Sequence, residues 1–280
     1  MRRVGAVRAF LGNLFCGGLG YLYVGRPRLA FVLLSFPYVS AALIGWSRLV
    51  LIPAAYYAFC FLYLAAAIFF PVHAAVIAVR NKNASGKKYN RWWIYVLWTT
   101  AWLTFSVLYL SYRAQLFGFE PFRVPNQSNL PTIEPGDFFM ADTWRYKNHQ
   151  PQLGEFVVYN IGSHTKYVKR LIGLPGDSIE LRNGTLLRNG NIVAEPYLHA
   201  HDERRAYGRD MPPVKLGIDE YFVMGDFRDN SEDSRAMGPV RRNQLHGRAE
   251  YIWYSNSGGT IHWDRFGKSL LPEKTNQRKL

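Results

Sequence analysis

Ser128 lies in the stretch VPNQSNLPTIEPGD, Val124 to Asp137, a loop framed by three prolines. Proline fixes φ and limits loop entropy, so such a loop can hold a serine hydroxyl in one geometry. A serine nucleophile needs a base to take its proton. No G-x-S-x-G elbow is present, so a hydrolase of that type lacks its signature. Lys169, in KYVKRLIGLPGD, is a candidate base. The run reads as a strand entering a tight turn. Alternation places Tyr167, Lys169 and Leu171 on one face and Val168, Arg170 and Ile172 on the other. An ammonium pressed against apolar surface is desolvated, which lowers its pKa toward neutrality and lets it accept a proton. The competing reading has Lys169 reaching out to water with no chemical role. A third stretch, MGDFRDNSEDSRAMGPV, Met224 to Val240, mixes arginines with its acids. That mixture disfavours a cation site and fits a rigid loop held by Asp–Arg pairs. His199 and His201 form an H-x-H pair, but without further ligands at familiar spacing they read as surface histidines.

The elements around these residues fall into two regions. Formal net charge is +14, yet every Asp and Glu lies after residue 119. The basic excess therefore belongs to the apolar N-terminal part, where it flanks hydrophobic runs as membrane topology requires. No basic helix or aromatic RNA-binding strand points to nucleic acid. Cys16 and Cys60 both fall in the apolar part, which leaves the remainder without a cysteine nucleophile. Residues 1–112 read as a membrane domain with three spans, about 29–46, 50–79 and 92–110. Pro37, Pro53 and Pro71 can kink or end these helices. Arg2, Arg3, Arg8, Arg26 and Arg28 precede the first span, Arg48 follows it, and Arg80, Lys82, Lys87, Lys88 and Arg91 precede the third. The pattern places the N-terminus and residues 80–91 inside and everything beyond Tyr112 outside. The glycine-rich stretch 9–24 reads as interfacial or re-entrant. Residues 113–280 read as a mostly β domain with short apolar runs, Pro-Gly-Asp turns and the hairpin pairs Asn183-Gly184 and Asn189-Gly190. Residues 195–215 read as a polar insertion.

Together, these stretches resemble the bacterial type I signal peptidases, membrane-bound Ser/Lys leader peptidases. The family's P-S-x-S-M-x-P-T motif aligns with Pro125–Thr132, its lysine motif with Tyr167–Asp177, and its G-D-N-R-D-N-S-x-D-S-R motif with Gly225–Arg235. The resemblance covers roughly residues 120–255 and implies an exported catalytic domain of signal-peptidase-like β fold, in the bacterial cytoplasmic membrane, with preprotein signal peptides and membrane lipid as partners and no metal or organic cofactor. The N-terminal transmembrane α-helices ahead of it, and with them a multi-pass protein, are read from the apolar runs, which are more than the family's usual one or two spans. Ser128 would be the nucleophile, Lys169 the general base, and Ser231 the residue orienting the lysine. Asp233 and Arg235 would form a supporting ion pair, with Arg170 and Asp226 in the scaffold around it. The Ser128 N–H would be one oxyanion donor and the Asn126 side chain, standing where the family has serine, another. Val124, Pro125, Ile133 and Val168 would line the pocket for the small residue before the cut. Asn129 stands where the family has methionine, and Phe227 where it has asparagine. A catalytically silent membrane relative acting in binding or assembly is the alternative reading.

Overall fold

The computed structural model describes residues 2–80, 89, 91–162, 165–198 and 209–272. The chain divides into two compact units, Met1–Gly118 and Phe119–Leu280. His199, His201, Lys82, Lys87, Lys88 and the end of the basic tail lie outside the described residues.

The first unit contains α1 (Arg2–Phe15), α2 (Leu19–Tyr23), α3 (Pro27–Trp46), α4 (Pro53–Arg80) and α5 (Trp92–Phe117). By length and composition α3, α4 and α5 can each cross a membrane. Pro53 opens α4, where a missing N–H leaves nothing unsatisfied. Pro37 and Pro71 stay inside their helices. Polar side chains satisfy carbonyls beside them: Ser40 Oγ donates to Phe36 O at 2.6 Å and Asn13 Nδ2 to Phe70 O at 3.3 Å. The glycine-rich stretch folds back on itself: α1 ends, the chain turns at Gly17-Gly18, and α2 returns along α1. A Cβ at Gly20 would overlap the Ala9 carbonyl, and one at Gly18 the Ala30 carbonyl. The glycines therefore permit close helix packing, which Trp98 Nε1 reinforces by donating to Gly17 O at 2.8 Å.

The second unit is built from antiparallel strands: β1 (Phe119–Arg123), β2 (Asp137–Asp142), β3 (Phe156–Ile161), β4 (Thr165–Gly173), β5 (Ser178–Arg182), β6 (Thr185–Arg188), β7 (Asn191–Ile192), β8 (Met211–Lys215), β9 (Glu220–Met224), β10 (Val240–Arg241), β11 (Leu245–Ser257) and β12 (Thr260–Ile261). One sheet runs β1-β2-β11-β3-β4-β9-β10, with β12 on β11; the other runs β7-β6-β5-β8. Asn183-Gly184 and Asn189-Gly190 turn the β5–β6 and β6–β7 hairpins, all four residues at positive φ as a tight primed turn demands. Besides the two-residue strands β10 and β12, two longer strands escape the sequence pattern. Phe119–Arg123 alternates too briefly to stand out after a long helix. Met211–Lys215, at the end of the stretch read as an irregular insertion, carries Pro212 and Pro213, yet pairs with β5 at the sheet edge, where proline is tolerated.

Alternation along β3 and β4 separates two cores. Phe156 and Val158 enter a core with Val124, Ile133, Phe139, Ala249 and Ile252, against which Phe122 and Val168 pack. Val157, Tyr159 and Leu171 enter another with Tyr221, Val223 and Val240. Lys169 shares the second face.

Candidate active site

Lys169 stands in β4 opposite Val157, two strand positions from the Tyr159–Tyr167 pair, whose rings stack at 5.9 Å between centroids. The lysine is 3% exposed. Burial pushes its pKa from 10.5 down to about 8; Asp233 draws it back up, and Arg235 adds to the depression. The shift corresponds to roughly 3 kcal/mol against holding the charged form there. The neutral amine is thus accessible near physiological pH.

The Ser128 loop is pinned at several points. Its base closes through Val124 N to Asp137 O (2.8 Å) and Gly136 N to Val124 O (2.9 Å). Arg265 braces it from beneath with paired bonds to Asp137 and a bond to Thr132 O at 3.1 Å. Asn129, 1% exposed, donates Nδ2 to Val168 O at 3.0 Å, tying the loop to β4 next to Lys169. Ser128 is 6% exposed. Its hydroxyl donates to Asn126 Oδ1 at 2.9 Å, and its N–H reaches the same oxygen at 3.3 Å. Asn126 therefore presents its carboxamide oxygen to Ser128 in this state.

The loop after β9 forms the third wall. Phe227 N donates to Ser128 O at 3.1 Å. A Cβ on Gly225 would overlap that same oxygen and Ser231 Oγ, so only glycine lets the two loops approach. Ser231 Oγ donates to Asp233 Oδ2 at 2.7 Å and Gly225 N to the same oxygen at 3.0 Å. Arg235 grips Asp233 with Nε at 2.9 Å and Nη2 at 3.0 Å. Burial pushes the Asp233 pKa up, but the hydrogen bonds and charge of Arg235, with the Gly225 N–H and Ser231 O–H, bring it below the ordinary value. The anion is thereby committed to arginine, and Lys169 is not forced to stay charged. Behind β4, Arg170 makes a bidentate pair with Asp226 (2.7 and 2.6 Å) between the rings of Phe156 and Tyr197. Thr132 Oγ1 joins it, donating to Asp226 at 2.5 Å.

These bonds tie the Ser128 loop, the strand carrying Lys169 and the loop after β9 to one another, while the Ser128 hydroxyl itself bonds Asn126. A family model described as "Signal peptidase, peptidase S26" matches residues 95–254. The chain belongs to that family. It is a serine peptidase. It is 36% identical over 184 residues to signal peptidase I S of Bacillus subtilis, spanning 63% of this chain and 95% of that protein. It is 37% identical over 164 residues to signal peptidase I of Bacillus licheniformis, spanning 56% of this chain and 87% of that one. Probable signal peptidase I-1 of Synechocystis is 31% identical over 185 residues, spanning 62% and 89%. A crystal structure of signal peptidase I from Enterococcus faecalis aligns with 36% of this chain and 97% of its own, at 30% identity and a TM-score of 0.33. The family match begins inside α5, so α1–α4 stand outside it.

Within this peptidase, Val124 and Ile133 are buried in the core beside β1, Val168 is half-buried against them, and Pro125 is exposed. A cleft of about 840 Å³ lies elsewhere, on the Arg170 side of β4, lined by Pro131, Thr132, Leu186, Val193 and Tyr197. Neither Ser128 nor Lys169 borders it. Tyr159 has no role in the sequence reading. It lies two positions along β3 from Val157, the partner of Lys169, and its hydroxyl is buried without a hydrogen-bond partner; strand register, which the sequence does not display, brings it there. Asn129, which stands where the family has methionine, acts as a tether between loop and strand.

Proposed function

We propose that this chain is a membrane-bound signal peptidase that removes signal peptides from exported preproteins after small residues, with Ser128 as nucleophile and Lys169 as general base. The observation that carries this reading is a buried lysine held to a pKa of about 8 on the strand tethered to the Ser128 loop. In the reaction, the Ser128 hydroxyl leaves Asn126 and delivers its proton to neutral Lys169 as the oxygen attacks the scissile carbonyl. The substrate oxygen displaces Asn126 Oδ1 from the Ser128 N–H, which then donates to the oxyanion. Losing one such donor typically lowers turnover by ~10²–10³. The lysine next protonates the leaving amine, and water activated by the same lysine hydrolyses the acyl-enzyme.

The strand layout supports an extended substrate. β1 pairs only with β2, and residues 165–169 of β4 only with β3, among the described residues. These two open edges are bridged by the Lys166–Glu120 pair, and an open sheet edge is how a sheet takes up a peptide strand. In the membrane unit, α3, α4 and α5 as three spans put the basic 80–91 segment with the N-terminus on the cytoplasmic side. The second unit then lies outside.

Purified protein in detergent, incubated with several preproteins, tests the proposal beside its Ser128→Ala variant. Cleavage of a preprotein to mature length by the parent protein alone is expected. Equal absence of cleavage in both would overturn the dyad reading.

A further inference from the structure

The two open edges are joined at one end by side chains that the chemistry does not use. Glu120 in β1, Lys166 in β4 and His246 in β11 meet there. Lys166 Nζ lies 2.9 and 3.1 Å from the two Glu120 carboxylate oxygens, and His246 Nε2 lies 2.7 Å from Oε2. Lys166 also stands over the Phe122 ring at 5.0 Å, and the His246 ring meets the same ring edge-on at 6.1 Å. The group is half-buried, with side-chain exposures of 18%, 20% and 31% for Glu120, His246 and Lys166. Despite burial, which works the other way, the hydrogen bonds from His246 and Lys166 hold the Glu120 pKa below its ordinary value. The carboxylate therefore stays ionised and keeps both partners.

We propose that Glu120, Lys166 and His246 form a clasp across the far end of the substrate slot. It fixes the distance between the edges of β1 and β4 and meets the upstream part of a bound peptide. This rests on the peptidase reading above, since it takes the slot as the substrate's path. Lys166 is two strand positions from Val168, and Glu120 four from Val124. At strand rise these are spans of about 7 and about 13 Å. The clasp thus addresses residues beyond about the third before the cut, and the catalytic end does not. Its members are positioning residues, because none of them belongs to the reacting group. A peptide entering the slot needs edges at the width of one strand; with the clasp intact that width exists before binding, so less ordering is left for the peptide to impose.

The test measures affinity for two fluorescent peptides on the full chain carrying Ser128→Ala, in detergent. One peptide has about three residues before the cut and the other about eight, so only the longer reaches the clasp. The longer peptide should bind more tightly. Glu120→Gln and Lys166→Met should each shrink that advantage about fivefold, the scale of a partly exposed ion pair. Exchanging the charges, Glu120→Lys with Lys166→Glu, should recover most of the loss, which general destabilisation would not do. An unchanged long-over-short ratio in both single variants, or an exchange that recovers nothing, overturns the clasp. Binding of neither peptide overturns both the clasp and the slot. Discriminating binding without cleavage of either peptide by the protein bearing Ser128 overturns the Ser/Lys reading and leaves the clasp standing.

Discussion

Lys169 is the proposed general base, and its burial has a thermodynamic consequence. In the unfolded chain its pKa is 10.5, and in the fold about 8. Below pH 8 both states carry the proton, and the native state bears the full penalty of a desolvated ammonium. As pH rises from 8 to 10.5 the native lysine is neutral while the unfolded one is still charged, so stability rises; above 10.5 the penalty is gone. Replacing Lys169 with methionine should therefore abolish cleavage while stabilising the fold at pH 7 by roughly 3 kcal/mol. Chemical denaturation of the two proteins at pH 7 and pH 10.5 checks this; the gap should close at the higher pH. Lys169→Arg should be inactive despite keeping the charge, because arginine does not release its proton at any working pH. Preprotein cleavage by that variant at the parental rate would contradict the assignment of the base.

The elements matter through how closely they approach. The loop after β9 reaches Ser128 only because Gly225 has no side chain, and it is stiffened by the buried Asp233–Arg235 pair. Gly225→Ala should lower cleavage by at least about tenfold, since roughly an ångström of misplacement at reacting groups has effects of that order or greater. The loss should appear in turnover more than in peptide affinity. Asp233→Asn leaves Arg235 buried without its anion, which destabilises by about 3–5 kcal/mol. A melting curve unchanged from the parent would show that the pair is not the brace described above. The Asn129 tether is gentler, because it anchors the loop by one neutral hydrogen bond.

Taken as a whole, the molecule is a helical unit rich in positive charge joined to a β unit with its own cores. The β unit holds every group assigned to the chemistry, and its cores draw only on residues after 119. Residues 119–280 produced alone should fold and unfold cooperatively and cleave a soluble peptide. They should lose most activity on a preprotein presented in vesicles, because the anchor no longer concentrates enzyme and substrate on one surface. Comparing peptide and vesicle assays for this fragment and the full chain checks the prediction. Equal vesicle activity would mean that the helical unit serves another purpose.

The candidate catalytic residues and the family were legible in the sequence. A proline-framed serine, a lysine on the apolar side of a strand and an acid–arginine loop are local patterns, and local patterns survive in one dimension. The same holds for the long apolar helices, the Asn-Gly hairpins and the asymmetry of charge. What the tertiary structure decided was contact between segments far apart in the chain. It turned Asn126 so that its oxygen, rather than its N–H, faces Ser128, and made Asn129 a tether to β4. It placed Tyr159 beside the lysine and gathered Glu120, Lys166 and His246 from three strands. Periodicity assigns a residue to a face of its own strand. Which residues of other strands share that space depends on register and sheet order, and those are set only when the cores pack.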